Sequence, residues 1–221
     1  MSLAVSAIVL AAGASRRLGA PKALTPIDGR PAALRISETL VAAGVDTGVI
    51  VLGADATELR PRLESSPYPI VRNPDPLAGR TGSIQIGLLA LAHGGNVATG
   101  TSGAVAPSPG FDRAVLIWPV DRPLASLETV RSLLRAAASG DADWYVPFHE
   151  GRGHPIVLAP SVLGALAAAP AERSLRELLT ELGARRRDVP VPDALIHANL
   201  DTPGDLERWR ARGERPPGDE R

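Results

Sequence analysis

Apolar and polar positions along the chain fall into alternating blocks of two kinds. Val5 to Leu10 form a continuous apolar run closed by Gly13, which predicts a first strand buried on both faces of a parallel sheet. Pro31 in a first helical turn, Leu34, Leu40 and Val41 on one face and Gly44 as a stop predict a helix of about three turns. VDTGVIVLG reads as a second buried strand. Beyond it the pattern predicts a helix near 55–64, a strand in PIVRN, a helix from Ser83 to Ala92 and a strand in RAVLIWP, residues 113–119. Ser126 caps a helix carrying Val130, Leu133, Leu134 and Ala137, which Gly140 ends. WYVPF and HPIVLA give two more strands, followed by helices around 160–169 and 173–183 and a strand-like RRDVPV. Repeated strand-helix units imply an α/β fold: a Rossmann-like, mainly parallel sheet in three layers, with helices on both faces.

Between His93 and Gly110 the periodicity vanishes into Gly, Ser, Thr, Pro and Ala, so 93–110 is expected to be a mobile loop. ARGERPPGDER, the end of the chain, is expected to be a disordered tail over 210–221. The remainder, 1–209, reads as one domain, in keeping with 221 residues of which 44% are hydrophobic. The opening apolar run is too short to span a bilayer and has no basic segment before it, so it is read as a buried strand and no membrane partner is expected.

Charge and cysteine usage narrow the chemistry. Formal net charge is zero and the charges are dispersed, which argues against a nucleic-acid partner. There is no cysteine, so disulfides, thiolate metal sites and thiol catalysis are excluded, and a cytoplasmic protein is the expectation. Lys22 is the one lysine among 24 Lys and Arg residues. Where arginine serves almost every need for positive charge, a retained ammonium suggests a compact cation among phosphate oxygens.

Lys22 sits in LAAGASRRLGAPKAL, the loop after the first predicted strand, where open parallel sheets bind phosphate. The loop has neither G-x-G-x-x-G nor the spacing of a P-loop. It resembles instead the L-A-A/G-G-x-S-x-R-M-G-x-x-K signature of nucleotidyltransferases with the nucleotide-diphospho-sugar transferase fold. Leu10, Ala11, Ala12, Gly13, Ser15, Arg17, Gly19 and Lys22 fill that signature, and Leu18 stands in for Met. Gly13, Arg17, Gly19 and Lys22 at this spacing would arise by chance on the order of once in a thousand such chains. Glycines let backbone N–H groups approach phosphates, while Arg17 and Lys22 supply cations.

Further stretches extend the resemblance over roughly residues 5–209. Asp121-Arg122-Pro123 resembles the family's D-x-P motif, which implies that Asp121 binds the metal, Mg2+. ANLDTPGDL resembles the D-I-D-T-P-E-D-L ending of the molybdenum-cofactor cytidylyltransferase branch. Thr202, Pro203 and Asp205 also make a helix-capping pattern, and either Asp201 or Asn199 would complete the metal site. LAGRTGSIQIGL resembles the G-x-x-x-S-x-x-x-G segment that lies against the nucleotide through Gly79, Ser83 and Gly87, with Ser83 also a candidate helix cap. GRGHPIVL resembles the G-H-P segment, so Gly153, His154 and Pro155 would line the acceptor pocket. His93, His149 and His197 show no metal-ligand spacing.

The resemblance implies transfer of a nucleoside monophosphate from a Mg-bound triphosphate to a small phosphorylated acceptor. G-H-P, D-T-P-x-D-L and Ala12 point to CTP and a molybdopterin-type cofactor, and to a molybdoenzyme or its chaperone as a protein partner. A guanylyl- or other nucleotidyltransferase acting on a different small phosphorylated acceptor, such as a sugar phosphate or phospholactate, is the alternative within the class. An NAD-dependent oxidoreductase and a non-catalytic nucleotide sensor are the alternatives outside it.

Overall fold

A computed structural model of the chain describes residues 3–13, 18–94 and 111–213. Its seven-stranded sheet starts from β1 (Val5–Ala11), whose residues from Ser6 onward are all buried. The backbone N–H and C=O groups of so buried a strand need partners along both edges. β1 lies parallel to β4 (Thr47–Leu52) on one side and to β6 (Ala114–Pro119) on the other. β5 (Ile70–Arg72) continues the sheet beyond β4. Beyond β6 come β8 (Ile156–Leu158), β7 (Trp144–Phe148) and β9 (Arg186–Pro190), giving the order β5-β4-β1-β6-β8-β7-β9. β8 alone runs antiparallel, against β6 and β7, so the expected mainly parallel sheet is present with one reversed strand.

Two apolar layers follow from the alternation of side chains along buried strands. On one face Val9, Leu52, Leu116 and Trp118 pack with Ile36 and Leu40 of α1 (Ala32–Ala42) and Val130 and Leu133 of α4 (Leu127–Ala137). On the other, Ile8, Val51 and Ile117 meet Ile84 and Leu88 of α3 (Arg80–Ala92), Val162 and Leu163 of α5 (Pro160–Ala168) and Leu179 of α6 (Leu175–Glu181). Gly87 sits where α3 crosses β1, and a Cβ there would lie 2.8 Å from Ile8, so its lack of a side chain allows the close approach. α7 (Pro203–Gly213) ends the described chain, running four residues past the expected domain end at 209. No helix among the described residues is long and apolar enough to cross a membrane.

Most predicted elements are present and some are corrected. Ser126 caps α4 by accepting from Thr129 N, and Gly140 beyond its end has φ +66°. The helix expected at 55–64 is a single α turn, α2 (Ala56–Leu59), tightening into a 3-10 turn over Arg60–Leu63, where Pro61 supplies no N–H. α3 starts at Arg80, after Gly79 at φ +134°, so Ser83 is inside the helix and is not its cap. A small hairpin, β2 (Pro26–Ile27) with β3 (Arg30–Pro31), turns through Asp28 and Gly29 at positive φ; the Asp-Gly pair was its signal in the sequence. Apart from His93 and Gly94, which close α3, the loop 93–110 lies outside the described residues, as does the tail beyond Gly213.

Candidate active site

Three chain segments meet at the carboxyl end of β1. Val120 N donates to Leu10 O at 3.0 Å, carrying the β6 pairing past the strand end, and Leu200 N donates to Asp121 O at 2.8 Å. Asp121 therefore lies between the phosphate-loop candidate and the 199–201 segment. Trp118, wholly buried, donates from Nε1 to Arg122 O at 2.8 Å and ties down the turn that presents Asp121. The large residue in a strand of small aliphatics thus has a structural task.

The 199–201 segment is fixed from both sides. Asp193 accepts from Ser126 N at 2.8 Å and from Thr129 Oγ1 at 2.6 Å, bonds that hold its carboxyl below the usual carboxylate range against the opposing pull of burial. Downstream, Asp205 Oδ2 accepts from Asp201 N at 3.0 Å and Thr202 N at 2.8 Å, while Thr202 Oγ1 accepts from Asp205 N at 3.2 Å. The capping expected of Thr202 and Asp205 is thus formed. Between these anchors Leu200 packs with Ile27, Ala32 and Leu124.

Lys22 opens a short 3-10 turn, Lys22–Leu24, behind Pro21, and its ammonium pairs with Asp201 Oδ1. Both side chains are mostly buried, at 16% and 17% exposure. Asp201 Oδ2 accepts from Asn199 Nδ2 at 2.6 Å. Asp121 Oδ2 lies 3.8 Å from Arg80. Asp121 Oδ1 and Asn199 Oδ1 are buried and have no hydrogen-bond partner among the described residues. Two buried oxygens with no donor suit a hard cation that prefers oxygen ligands. No group of three or more His, Cys, Asp or Glu that could hold a metal stands among the described residues, so any such ion needs water or phosphate for the rest of its shell.

Leu10 and Ala11 are buried at the end of β1, Ala12 is half-buried and Gly13 is exposed. Gly19 has φ +71°, a left-handed turn that favours glycine. Ser15 and Arg17 lie outside the described residues. Ser83 is buried and accepts from Asn73 Nδ2 at 3.0 Å; Gly79 lies against Ala171, where a Cβ would meet the carbonyl oxygen at 2.6 Å.

A cavity of about 620 Å³ opens beside this centre, between α3 and α6 over β6, β8 and β7. Its apolar floor includes Ile117, Ile156, Val146 and Trp144, and its walls carry Arg80, Arg122, Arg152, Arg173, Arg176 and Arg186, of which Arg80, Arg152, Arg173 and Arg186 form ion pairs with Asp121, Asp188, Glu181 and Asp188; Glu172 is the one acid in the lining. Gly153 and His154 are among its lining residues; Pro155 is buried and is not. Gly153 is pressed on Ile196, whose O would lie 2.5 Å from a Cβ, and His154 N donates to Ile196 O at 3.2 Å. Burial, then the charges of Arg122 and Arg80, push the His154 imidazole down to about 3, so it is neutral at physiological pH. Arg80 and Arg122 join the two regions, one paired with Asp121 and the other next to it in the chain. Sequence reasoning missed the arginine wall because its six members come from five separate segments, each unremarkable alone. His93, His149 and His197 spend a ring nitrogen on a backbone carbonyl apiece and form no metal group.

Comparison with known proteins agrees with this architecture. The sequence model of the MobA-like NTP transferase domain matches residues 7–187, which leaves Asn199 and Asp201 outside the matched span. Nicotine blue oxidoreductase of Paenarthrobacter nicotinovorans is 34% identical over 171 residues, covering 74% of this chain and 75% of that protein. Molybdenum cofactor guanylyltransferase of Rhizobium meliloti is 28% identical over 221 residues, covering 93% and 90%. Among solved structures, Rv0371c of Mycobacterium tuberculosis superposes with TM-score 0.72 at 22% identity over 95% of this chain and 98% of its own. A manganese complex of that protein gives TM-score 0.66 at 22% identity over 92% and 96%.

Proposed function

The chain belongs to the family of MobA-like NTP transferase domains, and from that premise we propose that it transfers a nucleoside monophosphate from a nucleoside triphosphate to a phosphorylated acceptor of the molybdopterin type. The observation that carries this reading is the junction at Asp121. On one side lies the glycine loop with Lys22; on the other opens an arginine-walled cavity large enough for a small acceptor.

An oxygen of the acceptor phosphate attacks the α-phosphorus in line, a new P–O bond forms, the bond to the bridging oxygen of the β-phosphate breaks and pyrophosphate leaves. The work of the chain is placement and charge. Gly13 and Gly19, having no side chains, let the backbone approach the triphosphate, Lys22 and Arg17 offset its charge, and Arg80 and Arg122 hold the acceptor phosphate at the cavity mouth. His154, being neutral, serves as a hydrogen-bonding wall and not as a proton carrier. Asp121, with Asp201 or Asn199, would hold Mg2+, which supplies Lewis-acid stabilisation of the phosphate oxygens when bound. The existence of a manganese complex of the Mycobacterium tuberculosis structural neighbour favours a divalent ion.

CTP is the base reading that G-H-P and D-T-P-x-D-L support, with the reaction placed in the cytoplasm and the product handed to a molybdoenzyme or its chaperone. The name of the Rhizobium relative favours GTP instead, and that of the Paenarthrobacter relative favours oxidoreduction on the same scaffold. One panel separates the three: thermal shifts with CTP, GTP and NADH, with and without Mg2+, followed by pyrophosphate release with molybdopterin cofactor. We expect Mg-dependent stabilisation and pyrophosphate release with CTP. Release with GTP alone moves the base assignment, and NADH turnover without any triphosphate response overturns nucleotidyl transfer.

A further inference from the structure

We propose that the second protein ligand of the metal is Asn199, and that Asp201, the acidic residue of the pair, is a positioning residue that restrains Lys22. This rests on the nucleotidyltransferase reading and deepens it.

The partners of each oxygen decide the assignment. Asp201 has donors on both oxygens: the Lys22 ammonium on Oδ1 and the Asn199 amide on Oδ2, the latter at 2.6 Å. Asn199 spends its only donor group on that bond, which fixes its amide and leaves Oδ1, an acceptor, buried with no partner among the described residues. Asp121 Oδ1 is in the same condition. The backbone bond from Leu200 N to Asp121 O puts the two residues on adjacent segments. Leu200 turns into the cluster of Ile27, Ala32 and Leu124, while the side chains of its two neighbours meet in the bond from Asn199 Nδ2 to Asp201 Oδ2. A buried acceptor with no donor is costly unless something fills it, and an amide carbonyl and a carboxylate are ordinary ligands of a hard divalent cation.

The charges fit the same assignment. Asp121 brings one negative charge to the ion, and the triphosphate brings the rest. Asp201 neutralises Lys22 while no phosphate is near and yields it when phosphate arrives, so the ammonium is kept aimed without being spent on the metal.

The experiment uses Mn2+ alone, titrated into the full chain and followed by electron paramagnetic resonance of the free ion. A single Asp201 substitution would change the charge next to the metal whether or not it is a ligand, so the deciding variant is the neutral pair Lys22→Gln with Asp201→Asn. Circular dichroism verifies that each variant is folded. We expect Mn2+ affinity in the pair variant to stay within threefold of the parent, and Asn199→Leu, or Asn199→Ala if the first misfolds, to lose at least tenfold. Tenfold loss in the pair variant with Asn199→Leu unchanged overturns the assignment, as does a parent chain that binds no Mn2+ alone. A second measurement reads the restraint: without metal, Asp201→Asn should bind CTP or GTP at least threefold tighter, and adding Lys22→Gln should abolish that gain. A gain that persists without Lys22 overturns the positioning role. Failure of the nucleotidyltransferase reading would look different, since no triphosphate would bind to any variant, with metal or without.

Discussion

The two sides of the Asp121 junction solve anion recognition in opposite ways. On the β1 side there is one ammonium, Lys22, set on a turn behind glycines and neutralised in advance by Asp201. On the β8 side six guanidinium groups surround an apolar floor, four of them already paired with acids: Arg80 with Asp121, Arg152 and Arg186 with Asp188, and Arg173 with Glu181. A compact cation among N–H groups suits a phosphate chain whose position must be fixed at one atom; planar forks along a wide wall suit a larger anion held by shape and several contacts. Precision on the first side and capacity on the second follow from the choice of cation.

Lys22→Ala tests the first side and should have the largest effect. Removing a preorganised cation aimed at developing charge should lower turnover about a hundredfold or more, with a much smaller change in melting temperature. Lys22→Arg should remain at least about tenfold below the parent, because a fork cannot take the place of a point charge; full activity with Arg would erase the contrast between the two sides. Arg122→Ala tests the second side. Loss of a charge-assisted contact should raise the acceptor KM about tenfold while the triphosphate Kd stays unchanged, and a matching rise in both would mean that the two sides are one site.

Gly153→Ala probes how firmly the cavity wall is set. Its Cβ would lie 2.5 Å from Ile196 O, and such overpacking should cost about 1–3 kcal/mol of stability, read as a melting point several degrees lower. The smallest effect is a pH dependence. The buried His154 stays neutral down to about 3 in the folded chain, whereas in the unfolded chain it takes up a proton near its ordinary value. The unfolded state thus binds more protons between those limits, and stability falls as pH falls through that window. Between pH 7 and 5 the parent should lose up to about 2 kcal/mol more than His154→Gln in urea titrations, and equal losses would mean that the cavity wall admits a charged imidazole.

Much of this was legible from residue order. The strand-helix alternation, the Ser126 cap, the loop around Lys22 and Asp121 at a strand end are all local patterns, and local patterns survive in one dimension. Ser83 was misread because a cap and a buried first-turn hydroxyl have the same neighbours in sequence; only the Asn73 partner tells them apart. The arginine wall was invisible, since its members lie as far apart as Arg80 and Arg186 and converge only when α6 closes over the sheet. Asn199 stood in the sequence as one of two candidates for the second metal ligand, and that its oxygen has no partner among the described residues shows only in three dimensions.

The pair between Lys22 and Asp201 joins positions 179 residues apart. A chain emerging from the ribosome makes its phosphate loop early and must wait for nearly all of the rest before the opposing carboxylate exists. Until then Lys22 lacks the Asp201 carboxylate. The contact that restrains Lys22 is therefore among the last that the chain can make during synthesis.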